Sequence, residues 1–92
     1  MKTNTGKIQW HLLGPFIGGL TDVVRVFMYG NTKYKEGDWQ FVDHKREVYG
    51  DAALRHFFAW WGGEKYDLES GLHHLAHCIC CLLIAMWGDK NE

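Results

Sequence analysis

The chain has 92 residues, a formal net charge of −1 and three cysteines confined to positions 78–81. That length makes a single domain, the near-neutral charge excludes a general electrostatic grip on DNA, and the clustered cysteines exclude a disulfide framework across the fold. Five Trp, five Phe and four Tyr supply apolar area that a short chain otherwise lacks, and they predict self-association into a homo-oligomer.

Residues 1–14 are polar and glycine-containing, with Ile8, Trp10, Leu12 and Leu13 interspersed. They read as an extended arm that docks by these side chains. The start lacks the basic-then-apolar pattern of a signal peptide. Pro15, the only proline, suits the first turn of a helix. Phe16, Ile17, Leu20, Val23, Val24, Phe27 and Met28 then follow at i, i+3, i+4 spacing and predict a helix over 16–29. Gly18 and Gly19 weaken its start by about 1 kcal/mol each relative to alanine. Gly30 is the expected stop.

Residues 31–49 form the predicted long loop. It carries the basic runs Lys33-Tyr34-Lys35 and His44-Lys45-Arg46 and the aromatics Tyr34, Trp39, Phe41 and Tyr49. Loops of this length are functional or hold short helical turns. Asp51 is the expected N-cap of a second helix over 52–61, closed by Gly62-Gly63. An acidic loop over 64–70 leads to Ser70, the expected cap of a last helix over 71–87. A frayed tail follows at 89–92. The longest apolar run, 78–87, is about half the roughly twenty residues a membrane-spanning helix needs. No repeat and no strand pattern stands out. The predicted fold is all-α: a small bundle of about three main helices with an N-terminal arm and a long loop, in a chain expected to be cytoplasmic and away from membranes.

Residues 67–81 concentrate the chemistry, with Asp67, Glu69, three of the six histidines and all three cysteines. On a helical wheel Leu75, Ala76, Ile79, Leu82, Leu83, Met86 and Trp87 share one broad face. His74, His77, Cys78 and Cys81 share the other, so the His and Cys residues form a stripe. One straight helix rarely offers four tetrahedral ligands, so a metal site needs partners from elsewhere. His56 on the second helix and Glu64, Asp67 and Glu69 on the loop are the available ones. A hard ion such as magnesium or manganese favours the carboxylates over the thiols. The C-x-x-C at Cys78 and Cys81 lies too far into the helix for the dipole to activate a thiol. Those cysteines read as small buried hydrophobes. Arg55 can pair with Asp51 one turn back, or offer a guanidinium fork to phosphate. Tyr29, Tyr34 and Trp39 can stack on a base or simply pack.

The residues Gly30-Asn31-Thr32-Lys33-Tyr34 with Trp39, then Asp51-Ala52-Ala53-Leu54-Arg55-His56, Ala59-Trp60, Gly63-Glu64, Asp67, Glu69-Ser70-Gly71-Leu72 and His74-Leu75-Ala76-His77, carry a resemblance. They are similar to a family of small phage proteins described as the N-terminal domain of dATP/dGTP diphosphohydrolases. The likeness covers roughly residues 7–85 and is most specific in its second half. It implies a phage protein that acts on a purine deoxynucleotide, releasing pyrophosphate from a dNTP with a divalent cation, magnesium or manganese before zinc. The implied roles are catalysis for His56, Glu64 and His77, nucleotide binding for Lys33, Tyr34, Trp39 and Arg55, and metal binding for Asp67, Glu69 and His74. MazG-like diphosphohydrolases hold magnesium with E-E-x-x-E on one helix and E-x-x-D on the next. Here Glu64-x-x-Asp67 has the second spacing and the first is absent. Two other readings stand beside hydrolysis. One is a non-catalytic module that sequesters a signalling nucleotide or serves as a recognition domain. The other is an interaction domain stabilised by zinc.

Overall fold

A computed structural model of the chain describes residues 6–91. Positions 1–5 of the expected arm and 92 of the expected tail lie outside that range. The described residues form three α-helices: α1 (Ile17–Lys33), α2 (Lys45–Trp61) and α3 (His74–Lys90). Two 3-10 helices, Trp10–Phe16 and Asp38–Phe41, precede α1 and α2. No strand occurs among the described residues, and a single isolated bridge pairs Tyr66 with His73. The all-α expectation holds.

Several expected boundaries move. The arm is not extended over its second half, which winds into the first 3-10 helix with Pro15 inside it, and it does not dock by its apolar side chains: Ile8, Trp10, Leu12 and Leu13 are all exposed. Gly30 does not stop α1, which continues one turn to Lys33, where the Lys33 ammonium meets Glu69 at 3.2 Å. Asp51 is not an N-cap. Helix α2 begins six residues earlier at Lys45, behind His44 in the left-handed region (φ 58°). The glycine penalty at Gly50 is only about 1 kcal/mol, and the surrounding turns set Tyr49 and Ala53 against the rest of the fold. The 31–49 loop therefore shrinks to a short link holding one 3-10 turn. At the other end α3 runs through Gly88, which is buried against α2; a Cβ there would lie 3.1 Å from Lys45 Cδ.

Helix α3 is the spine. It packs against both α2 and α1, while α1 and α2 do not pack on each other. The core is correspondingly small: Val23 and Val26 of α1, Ala76, Cys80 and Ile84 of α3, with Phe27, Trp39, Tyr49 and Leu72 against them. The radius of gyration, 15.2 Å, exceeds the roughly 12 Å of a compact chain of this length.

The largest departure concerns which side of α3 faces in. His74, His77, Cys78 and Cys80 are buried, whereas Ile79, Leu82, Leu83 and Met86 are 43–52% exposed. The His/Cys stripe is the inner one, and the inner face is broader than the wheel drew it, taking in Ala76 and Cys80 as well. Burying it carries no orphan penalty, because no buried side-chain polar atom among the described residues lacks a partner. Small thiols also let the neighbouring helices approach. A second apolar stripe, Leu13, Ile17, Val24 and Met28, is exposed along the first 3-10 helix and α1. The span Trp10–Lys33 is, by length and composition, long and apolar enough to cross a membrane, a size that no single apolar run predicted.

Candidate functional site

Because α1 and α2 meet only through α3, an open groove runs between them with α3 as its floor. Its volume is about 780 Å³, within the range of small-molecule sites. One end gathers Lys33, His56, Asp67, Glu69 and His77; toward the other lie Trp39, Val42, Val48 and Tyr49, with the charged Lys35, Glu36 and Asp38 also in the lining. A polar end and an aromatic, apolar end suit a ligand with a charged head and a planar body.

The polar end is organised by the 64–73 loop. The Asp67 N–H donates to Leu72 O (2.8 Å), the Gly71 N–H to Asp67 O (2.8 Å) and the His74 N–H to Lys65 O (2.9 Å), closing the loop on itself. Gly71 sits at φ +73°, a conformation that L side chains rarely adopt. The Ser70 N–H donates to Asp67 Oδ2 (2.8 Å), and Ser70 Oγ accepts from the Leu72 N–H (3.1 Å). Ser70 does not cap α3. His73 does, its Nδ1 accepting from the Leu75 N–H (3.0 Å). The Ser70 hydroxyl instead bonds His77 Nε2 at 2.7 Å.

Three histidines converge under this loop. His56 from α2 stacks on His77 from α3, with centroids 4.4 Å apart and planes 10° from parallel. His56 Nδ1 lies 2.8 Å from His74 Nδ1, and His74 Nε2 lies 3.1 Å from Glu64 Oε1. Ligand atoms of His56, Asp67 and His74 all fall within 4.8 Å of one another. Tyr29 meets His77 edge-on, and the Lys33 ammonium sits 5.7 and 5.8 Å from the Tyr29 and Tyr34 rings.

Electrostatics follow from this crowding. Burial, reinforced by His77 and His74, lowers the His56 pKa. Burial also lowers that of His77, although Asp67 opposes the shift. Burial alone would raise Asp67, but the Ser70 hydrogen bonds and the imidazole of His77 hold it below the usual range. The two imidazoles are therefore neutral at pH 7 and the carboxylate is ionised. The thiols behave as packing groups: burial pushes Cys80 up to about 12 and Cys81 up to about 11.

Of the ten residues singled out from the sequence, Lys33, Tyr34, Trp39, His56, Asp67, Glu69 and His77 line the groove. His74 and Glu64 sit behind His56 and join the cluster from there. Glu69 is exposed and occupied with Lys33. Arg55 is exposed, lies off the groove lining, and makes no ion pair with Asp51. Trp39 packs edge-on against Trp87 at 5.0 Å while still lining the groove. Sequence reasoning missed Ser70 as the partner of His77. The spacing i, i+7 across a loop–helix junction is the only signal for it, and that spacing is shared by many unrelated pairs.

Comparison with known proteins bears on this geometry. The profile of the family described as "dATP/dGTP diphosphohydrolase, N-terminal" matches residues 1–92. A relative named dATP/dGTP diphosphohydrolase, from Salmonella phage PMBT28, is 32% identical over all 92 residues. The chain spans 30% of that relative's length. No solved structure matches significantly.

Proposed function

The chain belongs to the family of dATP/dGTP diphosphohydrolase N-terminal domains, and on that premise we propose that it hydrolyses a purine deoxynucleoside triphosphate to dNMP and pyrophosphate in the α1–α2 groove, in the host cytoplasm. The observation that carries this reading is the groove itself, which joins a His/Asp cluster and a lysine to an aromatic, apolar wall. The base lies toward Trp39 and Tyr49. The phosphates lie toward Lys33, whose ammonium offsets their charge.

Water attacks the α-phosphorus and the bond from that phosphorus to the α–β bridging oxygen breaks, so the pyrophosphate leaves with the bridging oxygen. His77 is the base in this reading: it lines the groove, is neutral at pH 7, and has Ser70 hydrogen-bonded at Nε2 to relay the water's proton. Asp67, ionised and oriented by Ser70, fits the role of a cation ligand with His74 and His56. A divalent cation bound there would neutralise phosphate charge and acidify the attacking water.

Incubation of the purified chain with each dNTP and magnesium or manganese, followed by separation of the products, tests the reading. Formation of dNMP and pyrophosphate in equal amounts from dATP or dGTP is expected. A folded protein that retains nucleotide yet returns it intact would instead establish a binding module. The second reading draws on a specific fact: the chain spans only 30% of its relative, so the remainder of that protein is available to hold the chemistry.

The exposed stripes on α1 and α3 favour self-association. The first 3-10 helix and α1 together run about 40 Å. At a helix width of about 10 Å they offer roughly 400 Å², about half of what a stable partner buries. The α3 stripe and the exposed Leu54, Phe58 and Trp61 of α2 add to it. Val23 and Val26 of α1 are committed to the core and Asp22 pairs with Arg25, so contact with a second copy of the chain suits this helix better than a membrane.

A further inference from the structure

We propose that His56, His74 and Asp67 are the ligands of a divalent transition-metal ion rather than magnesium, and that Glu64 is the positioning residue that holds His74 in its ligating orientation. The proposal names the cation of the site described above and rests on that reading only for the location of the phosphates.

The case begins with the two Nδ1 atoms 2.8 Å apart. With His74 protonated at Nε2, its Nδ1 offers a lone pair toward His56, and the space between the rings holds either the His56 Nδ1 proton, as a hydrogen bond, or a cation that replaces that proton. Two nitrogens bound at about 2.1 Å stand about 3.0 Å apart at a right angle and about 3.4 Å at the tetrahedral angle. The observed spacing is nearer the former, so the rings need to part only slightly to accept an ion with octahedral preference. Asp67 supplies a third donor within 4.8 Å of both.

The surroundings are those of a built site. The His74 side chain is 6% exposed, and its second nitrogen, Nε2, faces the Glu64 carboxylate at 3.1 Å. That contact makes Nε2 the protonated nitrogen and leaves Nδ1 free to ligate, the arrangement in which metal-bound histidines are commonly held. The Ser70 N–H fixes Asp67 in the same way. His77 stays outside the donor set. Its Nε2 is engaged by Ser70, and its ring braces His56 by stacking. Two imidazoles and one carboxylate select manganese, iron, cobalt, nickel or zinc, because magnesium prefers oxygen donors and water. Three donors leave positions open for water and phosphate oxygens.

The test uses cobalt(II) on the full chain after chelator treatment and dialysis. Visible d–d absorption reports binding and coordination, and calorimetry compares cobalt, manganese, zinc and magnesium. One cobalt per chain is expected, at least 100-fold tighter than magnesium. No thiolate-to-cobalt band should appear in the near-ultraviolet, and Cys81→Ser should leave the spectrum unchanged. His74→Gln should abolish the bands. Glu64→Gln should keep one ion per chain but weaken it 10–100-fold; His56→Asn serves where His74→Gln does not fold. Absence of cobalt bands in protein folded by circular dichroism, a thiolate band, or equal affinity for magnesium would overturn the proposal. Quenching of tryptophan fluorescence by dATP with magnesium separates the two readings. Nucleotide binding without cobalt binding sinks only the metal assignment. Cobalt binding without nucleotide binding sinks only the function.

Discussion

Ser70→Ala removes one oxygen from the centre of the candidate site, and its cost can be worked from the geometry. The hydroxyl bonds His77 Nε2 at 2.7 Å and accepts the Leu72 N–H at 3.1 Å. Its loss leaves both groups without a protein partner, and a buried unpaired polar group costs about 1–3 kcal/mol. Leu72 is half-buried, so water reaches its N–H and that share falls at the low end. The His77 side chain is 11% exposed, and its nearest substitute, Asp67 Oδ2, is 3.9 Å away. A total near 2 kcal/mol is expected. In a domain of this size each kcal/mol moves Tm by about 4–8 °C, so Tm should fall by about 8–16 °C. Thermal and urea unfolding followed by far-ultraviolet circular dichroism at pH 7.5 measures it, with Ser70→Thr, which keeps the hydroxyl, expected to lose less than half as much. A loss below about 0.5 kcal/mol for the alanine variant would refute the argument that this hydroxyl holds His77.

Four further outcomes are expected. His56 and His77 titrate below the ordinary 6.5 because they are buried. The unfolded chain therefore takes up protons first, and stability, full above pH 6.5, declines as pH falls below it; Asp67, also lowered, adds its loss under about pH 4. Urea midpoints that stay flat between pH 7.5 and 5 would contradict the neutral histidine pair. Light scattering should find wild-type chain as a dimer or larger, and Val24→Glu with Leu82→Glu should shift it to monomer; a wild-type monomer at tens of micromolar ends the idea. Lys33→Ala should weaken dATP binding about tenfold, or about 1.4 kcal/mol, and flatten its salt dependence, whereas an unchanged affinity places the phosphates elsewhere. With burial raising all three thiols, native protein should react with a thiol reagent at pH 8 far more slowly than unfolded protein, and rapid labelling of several thiols would mean that the inner face of α3 is open.

The helices and the chemistry of 67–81 were legible because periodicity and residue type are local properties. The inward side of α3 was not. A wheel sorts side chains into two stripes but does not say which one meets the rest of the chain, and here the apolar stripe waits for a surface the chain itself does not supply. Helix ends were misread at Gly30, Asp51 and Ser70 for a related reason. Lys33 reaching Glu69, Ala53 buried against its neighbours, and Ser70 turned toward His77 are long-range or cross-loop contacts that no local capping signal reports. The histidines could be singled out because their type is rare, and His56, His74 and His77 do lie together. Arg55, next to His56 in sequence, projects about 100° away from it around α2 and so lies off the groove lining.

Helices α1 and α2 share no packing and are joined only through α3. A nucleotide in the groove would touch Lys33 and Tyr29 on one side and Tyr49 and His56 on the other, serving as the strut that closes an otherwise two-sided frame. Ligand at 100 times its Kd would add about 2.7 kcal/mol to the folded state. In the proposed reaction, cleavage between the α- and β-phosphates cuts that strut in two. Each fragment is then held by fewer contacts than the intact nucleotide, and chemistry itself loosens the grip on its products.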